Sequence, residues 1–336
     1  MTKYIVRRIF QMFLALFVIS VLTFILMRAI PGGPWSREKK LPERTIALLN
    51  ERYNLDAPIV EQYLSYMANI SLPRLTDNEL RRSTTEDYLV NIYIPGVDKT
   101  LRWGNFGPIY QSRSRTVNDI FRENFPVSAQ LGVAALAVAI VIGIPAGIIA
   151  ALNRNSRWDY VSMGIALLGV SVPVIVSGPI LRYYFGVNLR VLPVSGWGTW
   201  QHIVMPAFAL GFTSSALIAR LTRASLLQVL HEDYIRTARA KGLSERVVIG
   251  LHALKNALIP VVTVLGPLFA GLVTGSFVTE LIFDIPGLGR FYIDSIRNRD
   301  YAVIMGTTLL YAAIVIAANL VVDIIYAWLD PRIQYS

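Results

Sequence analysis

Six long apolar runs, almost free of charge and lying at roughly 9–30, 127–152, 160–182, 202–220, 258–282 and 302–329, constrain this chain more than any other feature. Each is long enough to cross a hydrocarbon core, which takes about 20 residues of helix at 1.5 Å rise per residue. A soluble core needs no such runs. Charged residues make up 16% of the 336 residues, against about 25% in an ordinary soluble domain, which weighs the same way. The expected fold class is an all-α polytopic membrane protein with about six transmembrane helices. Lys3, Arg7 and Arg8 precede the first run as they would in a signal peptide, but no small-x-small cleavage site follows it, so it reads as a retained anchor.

Net charge is +10, which in a soluble chain suggests nucleic acid. Its placement gives a different reading. With the amino terminus inside, Lys3, Arg7 and Arg8, then Arg154 and Arg157, then the dense group from Arg220 to Lys255, and finally Arg332 fall on one side, while the short loops opposite hold only Arg182, Arg190, Arg290, Arg297 and Arg299. Lys and Arg are retained on the cytoplasmic side during insertion, so both termini are expected to be cytoplasmic, with lipid rather than nucleic acid as the surroundings. Residues 31–125 then face outward, since long loops translocate largely regardless of charge.

The expected organisation is 1–30 as an amino-terminal segment and first span, 31–125 as a small extracytoplasmic subdomain, and 126–336 as a five-helix core with a cytoplasmic loop at 220–258. Within the subdomain, Pro42-Glu43 opens a helical pattern that stops at Leu55-Asp-Ala-Pro58. A second follows from Ile59, and Tyr88 to Ile94 reads as a short strand ended by Pro95-Gly96. The spans are interrupted, notably at Pro173, Pro179, Pro206, Pro260, Pro267 and Gly275. Membrane helices carry more Gly and Pro than soluble ones, and Gly271-x-x-x-Gly275 would allow close helix approach. Such breaks also suit helices that rearrange around a pathway.

Catalytic chemistry is hard to find. His202, His231 and His252 form no H-E-x-x-H pair, and there is no G-x-S-x-G elbow and no G-x-x-x-x-G-K-[ST] phosphate loop. With no cysteine and no clustered ligands, no metal or cofactor site is expected, and the chain reads as non-catalytic. Ion-driven carriers place ionisable groups in mid-membrane. Asp323 is the main such group here, and it reads as the partner of a basic residue near the interface. Arg28 and Glu280 read as close enough to the outer surface to snorkel.

The loop at 220–258 carries the strongest signal. Tyr234, Ile235, Ala238 and Ala240 alternate at helical spacing with Arg236, Arg239 and Lys241, with Thr237 between them, and Gly242-Leu243 follows as a stop. Glu232 and Asp233 at the start and basic residues at the end suit the helix dipole. On the residues alone, the helix at 232–245 could lie on the membrane surface, present a solvated face, or dock onto a partner.

Asp233-Tyr-Ile-Arg-Thr-Ala-Arg-Ala-Lys-Gly-Leu243, followed by His252-Ala-Leu-Lys-Asn256 and Ile259-Pro260, resembles the EAA loop of bacterial ABC importer permeases. Arg236-Thr-Ala238 stands where the general pattern has Glu-Ala-Ala, and Lys255 where many relatives have Pro, departures usual in the oligopeptide and dipeptide branch. Tyr4-Ile-Val-Arg-Arg8, Pro31-Gly-Gly-Pro34, Trp103-Gly-Asn-Phe-Gly-Pro108, Phe125-Pro-Val-Ser-Ala-Gln-Leu131, Thr274-Gly-Ser-Phe-Val-Thr-Glu280, Pro286-Gly-Leu-Gly289, Asn298-Arg-Asp-Tyr301 and Leu329-Asp-Pro-Arg332 extend the resemblance to its B-type subunit. The stretch 74–102 is longer than that pattern expects.

The resemblance implies a type I importer permease fold in the bacterial inner membrane and half of a translocation pathway for oligopeptides. The implied partners are a homologous C-type permease, an extracytoplasmic peptide-binding protein, and two cytoplasmic ATPases that hold ATP and Mg. Coupling to those ATPases would run through Tyr234 to Leu243, with the apolar side of the helix, Tyr234, Ile235 and Ala238, set into an ATPase groove. Permeases for dipeptides, nickel complexes or other small solutes share the pattern, and a scaffold subunit of a membrane complex is the reading from another class.

Overall fold

The structure, a computed structural model, describes residues 2–35, 42–77, 87–112 and 114–329. The side chain of Lys3, Arg332, the Asp330-Pro-Arg motif and positions 78–86 of the outer stretch lie outside the described residues.

The chain runs through α1 (Thr2–Ala29), α2 (Glu43–Arg52), α3 (Ile59–Ser71), β1 (Arg74–Asp77), β2 (Val90–Ile94), β3 (Lys99–Trp103) and α4 (Val117–Leu152). After these come α5 (Arg157–Ser171), α6 (Val174–Leu181) with a π-helical continuation over Arg182–Asn188, α7 (Trp200–Val229) and α8 (Asp233–Ala240). Next are α9 (Glu245–Val247), a π-helical stretch Val248–Ala253, α10 (Leu254–Ala257), α11 (Ile259–Val273), α12 (Phe277–Phe283), α13 (Leu288–Asn298) and α14 (Tyr301–Leu329).

Among the described residues, four stretches of helix are long and apolar enough to span a membrane: Phe10–Ala29, Val117–Leu152, Trp200–Val229 and Tyr301–Ile325. Two bent pairs bring the total among the described residues to six where each pair counts as one span. Arg157–Ser171 and Val174–Asn188 meet at 100°, and Glu245–Ala257 and Ile259–Val273 at 50°. The third apolar run is therefore a broken helix, and the second bend falls at Leu258, where the fifth run begins. In the first bend Pro173 has no N–H to continue α5 and instead precedes α6. The run at 258–282 ends early, because α11 stops at Val273 and Gly275, at φ +106°, turns the chain into α12.

Chain compaction does not follow the linear division expected from sequence. One unit comprises Met1–Met12, Val127–Arg290 and Ala313–Ser336, and the other Phe13–Pro126 and Phe291–Ala312.

In the second unit, α2 and α3 start after Pro42 and Pro58, where a missing N–H costs nothing. The three strands form an antiparallel sheet in the order β1-β3-β2, with Thr76 opposite Thr100 and Ile92 opposite Leu101. Asp87 ties this sheet to the start of α4. Its carboxylate accepts two hydrogen bonds from Arg122, at 2.8 and 3.0 Å, and one from the Thr116 hydroxyl at 2.5 Å, while Asn118 donates to the carbonyls of Asp87 and Gly104. Asp300 caps α14 and accepts the amide of Tyr110 at 2.8 Å. Arg28, expected to snorkel, is half-buried here: its guanidinium lies 4.5 Å from the Phe24 ring and hydrogen-bonds Gln62.

In the first unit, Leu131, Ala135, Met205, Leu210, Leu272 and Phe283 share one core. Its helices approach to backbone contact. A Cβ on Gly143 would lie 2.8 Å from the Ser215 carbonyl, and one on Gly211 would collide with the Ala135 carbonyl and reach Val138 at 2.7 Å. Gly271, expected to be a contact glycine, has nothing within 4 Å of such a Cβ. Close approach at glycine occurs instead between α4 and α7, at Gly132 against Leu272 of α11, at Gly169 of α5 against Phe212 of α7, and at Gly275 against Glu280 and Ser128. Asp323 does have a basic partner, Arg8, at 2.6 Å. Glu280, expected to snorkel, is 1% exposed.

Gly211→Leu should force α4 and α7 apart. Overpacking of this kind costs about 1–3 kcal/mol. Thermal melting of the purified chain in detergent should fall, whereas Gly271→Leu should leave the melting point within error.

Candidate functional site

The sequence motif from Tyr234 to Leu243 forms α8 and its stop. Asp233 occupies the first turn and Arg239 the last, matching the dipole. At the far end the Gly242 amide donates to the Arg239 carbonyl at 2.9 Å and the Leu243 amide to that of Ala238 at 3.4 Å, the double bond of a Schellman motif. Gly242 sits at φ +77°, a conformation that strains any residue with a Cβ, although the space around it is open. The helix stop read from the sequence is therefore present, and its cause is backbone conformation.

The apolar side of α8 faces elsewhere than expected. Ile235 is fully buried and Ala238 nearly so, in a cluster with Ala151, Leu226, Val248, Ala253 and Ala257 of the same chain. These two residues seat the helix on its own protein and cannot also fill a groove on a partner. Tyr234 lies at the rim, 41% exposed, and accepts a hydrogen bond from Asn256 at 2.7 Å. Arg236, Thr237, Arg239, Ala240, Lys241, Gly242 and Leu243 form the exposed side.

Two features escaped the sequence reading. Arg239 bridges Glu245 across the Gly242 turn with bonds of 2.7 and 3.3 Å, a pair six residues apart that helical periodicity does not reveal. That bridge holds the Glu245 carboxyl below its usual range, so the pair persists at neutral pH and is lost as pH falls through the carboxylate range. The second is the π-helical stretch Val248–Ala253, whose wider turn places Val248 and Ala253, five residues apart, in the same buried cluster.

Nothing in this arrangement is a nucleophile with a base, and no group of three metal-ligating side chains occurs among the described residues. The site is a short helix, rigidly seated from below, that shows a basic face between two spans. Together with the broken spans it defines a polytopic membrane chain. Comparison with known proteins gives the family. The family model described as "Binding-protein-dependent transport system inner membrane component" matches residues 143–335, and its amino-terminal companion matches 1–81.

Over 337 residues, and all of both chains, the protein is 40% identical to the oligopeptide transport system permease protein OppB of Salmonella typhimurium. Over 334 residues it is 42% identical to the dipeptide transport system permease protein DppB of Bacillus subtilis, covering 99% of this chain and 98% of that one. A solved chain of the inward-facing MetNI methionine ABC transporter superposes with a TM-score of 0.51 at 19% identity, over 63% of this chain and 96% of that one, a likeness of fold. The chain belongs to the family of binding-protein-dependent transport system inner membrane components. It is thus a multi-pass transport permease of type I importer fold.

If Ile235 seats α8, Ile235→Ala should cost about 2–5 kcal/mol of local stability. Amide hydrogen exchange across 233–242 should accelerate, while Thr237→Ala on the exposed side should leave it unchanged.

Proposed function

We propose that this chain is the permease subunit of an ATP-driven peptide importer and forms half of a translocation pathway with a homologous second permease. The observation that carries the reading is end-to-end similarity to OppB and DppB in a chain whose α8 is mounted with its basic side outward. Two cytoplasmic ATPases, holding ATP and Mg, would engage the exposed face from Tyr234 to Leu243. An extracytoplasmic peptide-binding protein would deliver the substrate to the segment at 31–125. Both termini are then cytoplasmic, in line with the basic residues at the start of α1 and around α8.

In this arrangement Ile235 and Ala238 transmit rather than touch. They join α8 to the ends of α4 and α7 and to the π-helical stretch, so a displacement of the exposed face is carried into the membrane helices. Oligopeptides are the preferred substrate class. The 42% identity to a dipeptide permease supports dipeptides as the second reading.

Charge reversal tests the coupling face. Arg236→Glu with Lys241→Glu should leave the subunit in the membrane, lower recovery of the ATPases on co-purification about tenfold or more, and abolish peptide uptake, since like charges would then meet a surface built for cations. Full ATPase recovery and normal uptake at matched membrane levels would refute the assignment. The chain has no cysteine, so topology can be probed directly. Val97→Cys, on the exposed turn after β2, should react with an impermeant maleimide in intact spheroplasts, and Lys241→Cys only after lysis. The opposite pattern would invert the topology.

A further inference from the structure

By its place in the chain α3 (Ile59–Ser71) belongs to the segment between the first two long apolar runs, yet it packs along the flank of α1. The Tyr63 and Ser20 hydroxyls lie 2.7 Å apart, and the Tyr63 ring meets the Phe24 ring edge-on at 5.2 Å between centroids. Ser20 is fully buried and donates to the Phe17 carbonyl at 2.7 Å, so the hydroxyl of Tyr63 donates to that of Ser20. Both hydroxyls thereby find partners within the protein, as polar groups away from water must.

Depth follows from the apolar stretch Phe10–Ala29. Measured back from Ala29 at 1.5 Å per residue, Phe24 is about 8 Å and Ser20 about 14 Å into it. Half of a hydrocarbon core is about 15 Å, and a tilt of about 20° shortens these depths by less than a tenth. The ring of Tyr63 therefore lies inside the apolar layer that α1 crosses.

The surface of α3 agrees with that depth. Val60, Leu64 and Met67 form one stripe along the helix, and Glu61, Ser65 and Asn69 occupy the other side. On the apolar side Ile59, Val60 and Leu64 are 60, 68 and 58% exposed and carry no charge between them. That side continues the exposed apolar surface of α1 at Phe17 and Ile25. On the polar side the Gln62 carboxamide is used within the protein, accepting from Arg28 and donating to the carbonyls of Leu55 and Ala57, while Glu61 and Ser65 are exposed.

We propose that α3 is an interfacial membrane helix whose Ile59, Val60 and Leu64 side is covered by lipid acyl chains, in the half of the bilayer that holds the carboxyl end of α1, with Glu61 and Ser65 turned to water. Amphipathic helices of this kind bury their apolar side about 5–10 Å into the headgroup and acyl boundary, which includes the level of Phe24 and the Tyr63 ring. The segment at 31–125 is then held on the bilayer by α3 as well as by α1. The depth of α3 is independent of which side of the membrane it occupies, and only its assignment to the outer leaflet rests on the topology proposed above.

Single cysteines in the otherwise cysteine-free full-length chain, reconstituted in phosphatidylcholine nanodiscs, test this. An impermeant maleimide should label Val60→Cys and Leu64→Cys about tenfold or more slowly than Glu61→Cys and Val97→Cys, because the reacting thiolate is disfavoured in an apolar layer. With a nitrobenzoxadiazole label attached at the same four positions before reconstitution, phosphatidylcholine carrying a nitroxide near the headgroup end of its acyl chain should quench the first pair, and aqueous iodide the second. Val60→Cys and Leu64→Cys replace exposed side chains, so both should melt as the wild type does.

Equal labelling at all four positions, or quenching at Leu64 by iodide and not by the nitroxide lipid, would overturn the proposal. Protection of Leu64 that appears only in the assembled transporter would also overturn it, by giving this face to a protein partner. An inverted labelling pattern at Val97 and Lys241 in spheroplasts, with the nanodisc results as expected, would move α3 to the opposite leaflet and leave its place in the lipid standing.

Discussion

A buried carboxylate, Glu280, resolves the problem that broken helices pose in an apolar interior. Each break frees amide groups, and where water is absent these must be met by the protein itself. Glu280 follows the α11–α12 turn. Its Oε1 accepts the Ser128 hydroxyl at 2.7 Å and its Oε2 the Arg290 amide at 3.2 Å, with the amides of Gly289 and Ser276 also directed at it. The Ser128 oxygen in turn accepts the Leu288 amide at 2.7 Å. One carboxylate and one hydroxyl thus satisfy the first turn of α13 and bind it to α4 and α12. The glycines around them belong to the same device, since a Cβ on Gly275 would come within 2.7 Å of the carboxylate and one on Gly289 within 3.0 Å.

That network explains why the sequence was legible in one respect and not in another. The helices α2 and α3, the strand near Tyr88, the stop at Gly242 and the break at Pro173 follow from local chemistry: a Pro before a helix, alternation in a strand, a residue at positive φ. Glu280 did not, because its role depends on Ser128, 152 positions away, and on the loop that closes over it. Read alone it is a charged residue near the end of an apolar run, which ordinarily reaches for water. Arg28 misled in the same way. The Asp323 expectation fared better, since a lone acid in a span demands a basic partner, yet only the fold could supply Arg8.

The α8 helix shows a subtler limit. Its amphipathic pattern is correct, and Ile235 and Ala238 do lie on one side, but periodicity reports that a face is covered without reporting by what. A docking helix that buried its apolar residues in a partner would have to leave them exposed whenever the partner was absent. Here they are buried in the chain's own core, so α8 keeps its place unaided and what it presents is charge, a threonine hydroxyl and the rims of Tyr234 and Leu243.

That division of labour bears on how force could pass through the subunit under the proposed importer mechanism. An exposed basic face can be gripped and released, because surface contacts of this sort are individually weak. The inner face must do neither. Ile235 meets Leu226 near the end of α7 and Ala151 near the end of α4, and one helical turn before Leu226, Arg223 holds Asp159 of α5 through two bonds of 2.7 Å. Close-packed groups transmit displacement instead of absorbing it. Under the proposed mechanism, the inner side of α8 would therefore determine which spans move together, and the outer side only when they do.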